Sequence, residues 1–408
     1  MKPIAPTRPC AGPLVGACLC VLASLPATAT PSEALTISIV NRDGPSEGFN
    51  DPTPVAPVGG NPGTTLGAQR LFLFQYAADV WESRLGGNVN VQVAAEFSNL
   101  GGTGASAILG SAAPTTVHYN FTGRPVSNTW YVAPLASQFY GSALNDLLPA
   151  SCPTDLVSGR CPEITTEFNA AVDNQTVLGE TDFYYGIDGR RGSDIDFLSV
   201  LLHEMGHGLG VLDLVDSSTG EKFLNLDDAY IRWLEDATIN PKKFTTMSNV
   251  QRQSAIVDDG DLVWVGPSVV EEGVVLTAGR RGDGAVQIYA PVTYQGGSSV
   301  SHYDTRLSPD ELMEPFAVAA YRDLDLTQAM LKDIGWTIVE KPDCGDANDD
   351  GSTSAADALI ALKAAVGSAQ CDDLACDVNF SETITAADAL LLLKRAVGQN
   401  VSLVCPLV

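Results

Sequence analysis

The sequence predicts an α+β fold followed by a small α-helical module. Three observations lead there: an amphipathic helical run followed by alternating valines, a second helical run with two histidines one turn apart, and a tail that repeats itself. The 408 residues exceed an ordinary single domain, and the apolar fraction of 45% suffices for a packed core. A net charge of -26 disfavours nucleic acids and anionic membrane surfaces as partners.

The N-terminus carries Lys2 and Arg8, then an apolar run ending in Ala27-Thr28-Ala29, and reads as a secretory signal peptide over residues 1–29. Lipid attachment at Cys18 is the alternative, which Pro13 disfavours by interrupting the run. No other apolar run approaches the ~18 residues that a membrane span needs, so a secreted, extracellular protein is expected. Nine cysteines are present. Removing Cys10, Cys18 and Cys20 with the signal leaves Cys152 and Cys161, expected to pair, and Cys344, Cys371, Cys376 and Cys405, whose connectivity cannot be read.

Residues 41–63 are rich in Pro and Gly and read as an extended lead-in. A helix follows, with Leu71, Phe74, Ala77, Ala78 and Trp81 on its apolar face and Gly86-Gly87 as its stop. Val89, Val91 and Val93 then alternate as in a half-buried strand. A second helix runs from Asp196, its N-cap, to Val211, with Gly208 and Gly210 ending it. "DLVWVG", "GVVLTAG" and "AVQIYAP" are expected strands, and a last helix starts near Asp325. Composition changes at Lys341-Pro342, which divides residues 30–341 from a tail at 342–408.

The second helix reads His203-Glu204-Met205-Gly206-His207. Imidazoles at i and i+4 share a helix face and can both reach one zinc ion at ~2.0 to 2.1 Å, with the intervening glutamate as general base for hydrolysis. Two imidazoles do not complete a stable zinc site, and the third ligand is either Asp213, six residues on, or the distant His302. His118 sits in a strand-like context and reads as an ordinary strand histidine. "RGDG" at Arg281 to Gly284 reads as a turn.

His302 is followed by "ELMEP" from Glu311 and "TQAMLKDIGW" from Thr327. With the histidine helix, these pieces resemble the metzincin zinc metalloproteases, in particular the leishmanolysin type, over roughly residues 67–337. The resemblance implies a metzincin-like catalytic domain: a twisted sheet, the H-E-x-x-H helix and a β-rich insertion. It also implies zinc on His203, His207 and His302, Glu204 as general base, Met313 beneath the metal, and a protein or peptide substrate. Tyr303 departs from the Trp often found in that family, and no long cysteine-bearing propeptide is present.

In the tail, Asp346 aligns with Asp377, Asp357 with Asp388 and Gly367 with Gly398, a constant offset of 31. The first repeat places Asp346, Asn348, Asp350, Ser352 and Asp357 at ligand positions of a twelve-residue calcium loop, with Gly351 at its turn. The second offers Asp377, Asn379, Ser381, Thr383 and Asp388 but has Glu382 in place of the glycine, and weaker binding is expected. The stripes Leu359, Leu362, Val366 and Leu390, Leu393, Val397 argue for folded helices. Paired loop-helix repeats of this kind resemble dockerin modules, which implies Ca2+ and a cohesin-like partner. A secreted zinc endopeptidase with a dockerin-like tail is the expected function. Its rival is a non-catalytic binding or scaffold protein that keeps the protease fold.

Overall fold

The computed structural model describes residues 35–147, 160–174, 176–238, 242–321 and 324–408. The expected signal peptide and Cys152 lie outside these residues; Cys161 is disulfide-bonded.

The fold is mixed α+β with a small helical C-terminal region. One sheet of four strands runs in the order Ile37–Asn41, Val91–Ser98, Ile164–Asn169, Gly110–Pro114. The first three are parallel, with Ile37 opposite Val91 and Val93 opposite Ile164. Gly110–Pro114 is antiparallel and forms an edge, with Gly110 opposite Phe168. The strand expected to be half-buried instead has Val91 to Ala95 all buried, because it lies inside the sheet with strands on both sides.

Helix Leu66–Arg84 is N-capped by the Thr65 hydroxyl and buries Leu73, Phe74, Ala77, Ala78, Val80 and Trp81. Two expectations here are corrected. Leu71 is 45% exposed, because the core-facing stripe lies one step round, through Leu73. The helix also ends before the glycines: Leu85 turns to extended backbone and pairs, with Gly86, against Thr337–Ile338. Phe49, Phe74, Phe97, Phe168 and Phe197 meet edge-on or tilted between this helix, the sheet and the histidine helix.

Between residues 230 and 290 the expected strands survive unevenly. Leu262–Trp264 is a strand paired with Leu234–Asp236 and Val286–Gln287. "GVVLTAG" is not one: Pro267 starts a helix that ends at Glu272, and Gly273–Val275 is a 3-10 turn with Val274 and Val275 exposed. The Arg281 guanidinium holds Asp283 at 2.6 and 2.8 Å and Glu235 at 2.9 Å, so the "RGDG" turn is tied to itself and to the neighbouring strand.

Beyond residue 341 a second apolar cluster gathers Ala358, Ala361, Cys376, Val378, Ala389 and Leu392 between helices Ala355–Ala365 and Ala386–Ala396. The stripes that argued for folded helices do lie on helices, but they face outward. Leu359, Leu362, Val366, Leu390, Leu393 and Val397 are 43–71% exposed. The inner faces carry Asp357-Ala358 and Asp388-Ala389, since the position that ends each loop must point at the loop. Cys344 pairs with Cys405, and Cys371 with Cys376. Leu407 is buried in the larger cluster, and its N–H donates to the Tyr76 hydroxyl at 3.3 Å.

The Cys344–Cys405 bridge closes a separation of 61 residues, and chain-closure entropy for that length is worth roughly 4 kcal/mol. Replacing both cysteines by serine should make the tail open first under limited proteolysis, with the remainder still resistant. Unchanged resistance of the tail would show that the bridge adds nothing to the native packing.

Candidate functional site

The histidine helix, Phe197–Leu209, begins where the Asp196 carboxylate accepts the N–H of Ser199 at 2.9 Å. Its C-terminal half contains glycine at alternate positions, each facing a different neighbour. A Cβ on Gly206 would stand 2.9 Å from the Met313 sulfur, one on Gly208 2.5 Å from Ile164, and one on Gly210 2.6 Å from Ile334. Gly208 therefore lies within the helix, and Gly210, at φ 132°, ends it. The Trp336 indole donates to the Leu209 carbonyl at 2.9 Å and satisfies the helix end.

His203 and His207 project from this helix, and His302 comes from the far side of the long insertion. Their three Nε2 atoms lie 3.1 Å from one another. Each Nδ1 donates to a backbone carbonyl: His203 to Leu312 at 2.8 Å, His207 to Val211 at 2.6 Å, His302 to Ser298 at 2.7 Å. That tautomer leaves three unprotonated nitrogens converging on one point. With bonds of ~2.0 to 2.1 Å, edges of this length correspond to ligand-metal-ligand angles of about 100°, near tetrahedral, so the donor set fits zinc. Burial lowers the pKa of all three, that of His207 to about 3. Among the described residues this is the one group of three or more His, Cys, Asp or Glu whose ligand atoms all lie within 4.8 Å of one another.

Glu204 is buried beside the cluster. Burial raises its pKa to about 8, and the Ala112 N–H of the edge strand moderates the rise. Met313 is fully buried under Gly206. Tyr303, the departure from the metzincin pattern, is also buried; its hydroxyl donates to the Leu326 carbonyl and its N–H to that of Met313, both at 2.9 Å. It joins the third histidine's segment to the last helix, Asp325–Ile334. His118 lies on strand Val117–His118, bonded to Asn145 at 2.9 Å and apart from the cluster.

Asp213 is not brought to the three imidazoles. Its Oδ1 accepts the Val215 N–H at 2.9 Å, and its charge faces Asp228. Asp228 in turn accepts from Leu214 at 3.0 Å and Ile231 at 2.8 Å. Asp213 thus shapes the turn after the helix.

The sequence reading missed Val300. This residue is buried at φ 75°, a backbone conformation that costs a β-branched side chain on the order of 1–3 kcal/mol. Nothing in residue type signals it, because propensity argues for the opposite conformation.

In the tail the two loops are built alike. Asp346 accepts from Asp350 N–H at 3.1 Å and Gly351 N–H at 2.6 Å; Asp377 accepts from Ser381 at 2.9 Å and Glu382 at 2.8 Å. Gly351 has φ 81°, and Glu382 is forced to φ 62° at the matching position. Asp357 and Asp388 each cap their helix with one oxygen, through Ser354 and Thr385. In the second loop the other oxygen of Asp388 and the Asn379 side-chain oxygen are buried without a hydrogen-bond partner, and a cation between them would satisfy both. Asn348 and Ser352 bond to Asp350 at 2.9 and 2.7 Å, and Ser381 to the Thr383 carbonyl at 3.0 Å.

The dockerin type I domain family matches residues 344–397, which include both loops and both helices. The C-terminal module is dockerin-like, and domains of this type bind calcium. No curated protein matches the chain. Among the described residues no helix is long and apolar enough to cross a membrane.

Burial raises the pKa of Asp213 to about 6 and of Asp228 to about 7, from an ordinary 3.8. The folded chain binds these protons more tightly than the unfolded chain. Their stabilisation is complete below about pH 4 and is lost as pH rises through 6 to 7. Asp228→Asn should make the decline in stability between pH 4 and 7 shallower, as read from denaturant midpoints. An unaltered slope would remove Asp228 as its source.

Proposed function

We propose that the chain is a secreted zinc-dependent endopeptidase, attached through its calcium-loaded dockerin-like tail to a cohesin-like partner. The observation that carries the first half is the convergence of three imidazole nitrogens with Glu204 beside them. His203, His207 and His302 would hold the zinc, which when bound polarises a carbonyl and lowers the pKa of a coordinated water. Glu204 takes a proton from the attacking water and passes it to the leaving amine. The edge strand Gly110–Pro114 places the Ala112 N–H next to Glu204. An extended peptide added to that edge by main-chain hydrogen bonds would lie along the strand that packs on the histidine helix. Attachment is supported by the family match and by the exposed rows Leu359, Leu362, Val366 and Leu390, Leu393, Val397, which leave two similar apolar faces open to a partner.

Glu204→Gln should keep zinc while hydrolysis of an unfolded protein falls ~10²- to 10⁴-fold. His302→Ala should lose most of the zinc, and Asp213→Ala should retain it. Zinc content together with peptide-bond hydrolysis decides. A zinc-loaded wild type that cleaves no protein substrate would favour a binding scaffold instead.

For the tail, titration calorimetry on the full chain should detect calcium binding. Asp346→Ala should remove the tighter event and Asp388→Ala the weaker, because each takes a carboxylate from its loop. Binding unaffected by either substitution would place the calcium elsewhere.

A further inference from the structure

His302 is delivered by an irregular piece of chain. Three residues, Val300 to His302, stand opposite the single Tyr289. The Val300 N–H donates to the Tyr289 carbonyl at 2.8 Å, and the Tyr289 N–H donates to the His302 carbonyl at 2.9 Å. A single antiparallel bridge, Ile288 opposite Tyr303, follows. Bulges of this kind re-aim side chains, and here the re-aimed residue is the third imidazole. The residue at its start is Val300, whose φ of 75° suits glycine and opposes a β-branched side chain.

Left to itself, Val300 would relax toward extended backbone and carry the peptide plane away. Besides the pairing with Tyr289, one contact from a more distant segment opposes this. The Tyr230 hydroxyl, buried, donates to the Val300 carbonyl at 2.8 Å. Tyr230 is itself fixed: its ring packs against Trp264 at 4.8 Å between centroids, and it follows Asp228, whose carboxylate accepts the Ile231 N–H. Burial, with the charges of Asp213 and Asp228 next, holds the proton on the hydroxyl so that it remains a donor.

We infer that Tyr230 is a positioning residue for the metal centre: its hydrogen bond holds the strained Val300 bulge in the one conformation that aims His302 at His203 and His207. This rests on the zinc reading above. It adds that the accuracy of the third ligand depends on a residue touching neither metal nor substrate, from a segment remote in sequence. Loss of such outer support typically weakens metal binding ~10- to 100-fold.

The test is zinc affinity, by competition with a chromophoric chelator, on folded full-length chain. Tyr230→Phe should bind zinc about 10- to 100-fold more weakly than wild type. Val300→Gly, which adopts φ 75° without strain, should recover most of that loss when combined with Tyr230→Phe. Val300→Ala keeps the Cβ and should not. If Tyr230→Phe alone fails to fold, the combined Tyr230→Phe/Val300→Gly chain should fold and bind zinc. Zinc affinity of Tyr230→Phe within about 2-fold of wild type, well short of the expected ~10- to 100-fold loss, would overturn the inference while leaving the zinc site standing. So would a glycine combination no better than the alanine one. A wild type that binds no zinc would overturn both, and that outcome is read before any variant is made.

Discussion

Three imidazole nitrogens meet 3.1 Å apart, and each ring is oriented from behind by a carbonyl of a different loop: Leu312 before Met313, Val211 after the histidine helix, and Ser298 at the entry to the bulge. Much of the surrounding architecture serves that constraint. The last helix fixes the Met313 segment through Tyr303, and Trp336 closes the end of the histidine helix. Because the three acceptors are neutral, they orient the rings without adding negative charge, and a cation bound there keeps its full charge for polarisation.

The histidine pair was legible because helical period alone puts i and i+4 on one face, and Asp196 announces the helix start. His302 was legible only through its company, since 95 residues separate it from His207. Spacing favoured Asp213, and what removes Asp213 from the cluster is its turn with Val215, a local hydrogen bond no periodicity reports. Within the insertion, "GVVLTAG" shows how a β-branched run misleads: its valines sit in a 3-10 turn, and its pairing is limited to a bridge between Ala278 and Ser308. In the tail the leucine stripes announce the helices but not their inner face: the loops fix which face points inward, and that face carries aspartate and alanine.

Two of the non-glycine residues held at positive φ lie close to proposed metal sites. Val300 departs from its preferred backbone two residues before His302, and Glu382 does so at the turn of the second loop. Each is held by neighbours: Val300 by hydrogen bonds to Tyr289 and Tyr230, Glu382 by its N–H to Asp377.

The alternating glycines of the histidine helix also bear on the order of folding. Glycine weakens a helix interior by about 1 kcal/mol per residue relative to alanine, so the segment from Gly206 to Gly210 gains its shape from what presses against it. Those contacts are Ile164, Met313 and Ile334, and the last two follow the helix in the chain by more than a hundred residues. A nascent chain that has emerged only as far as His207 holds two of the three histidines, with neither the bulge nor the closing helix yet made. The convergence of the three imidazoles is therefore completed only when the polypeptide through Ile334 is available to fold.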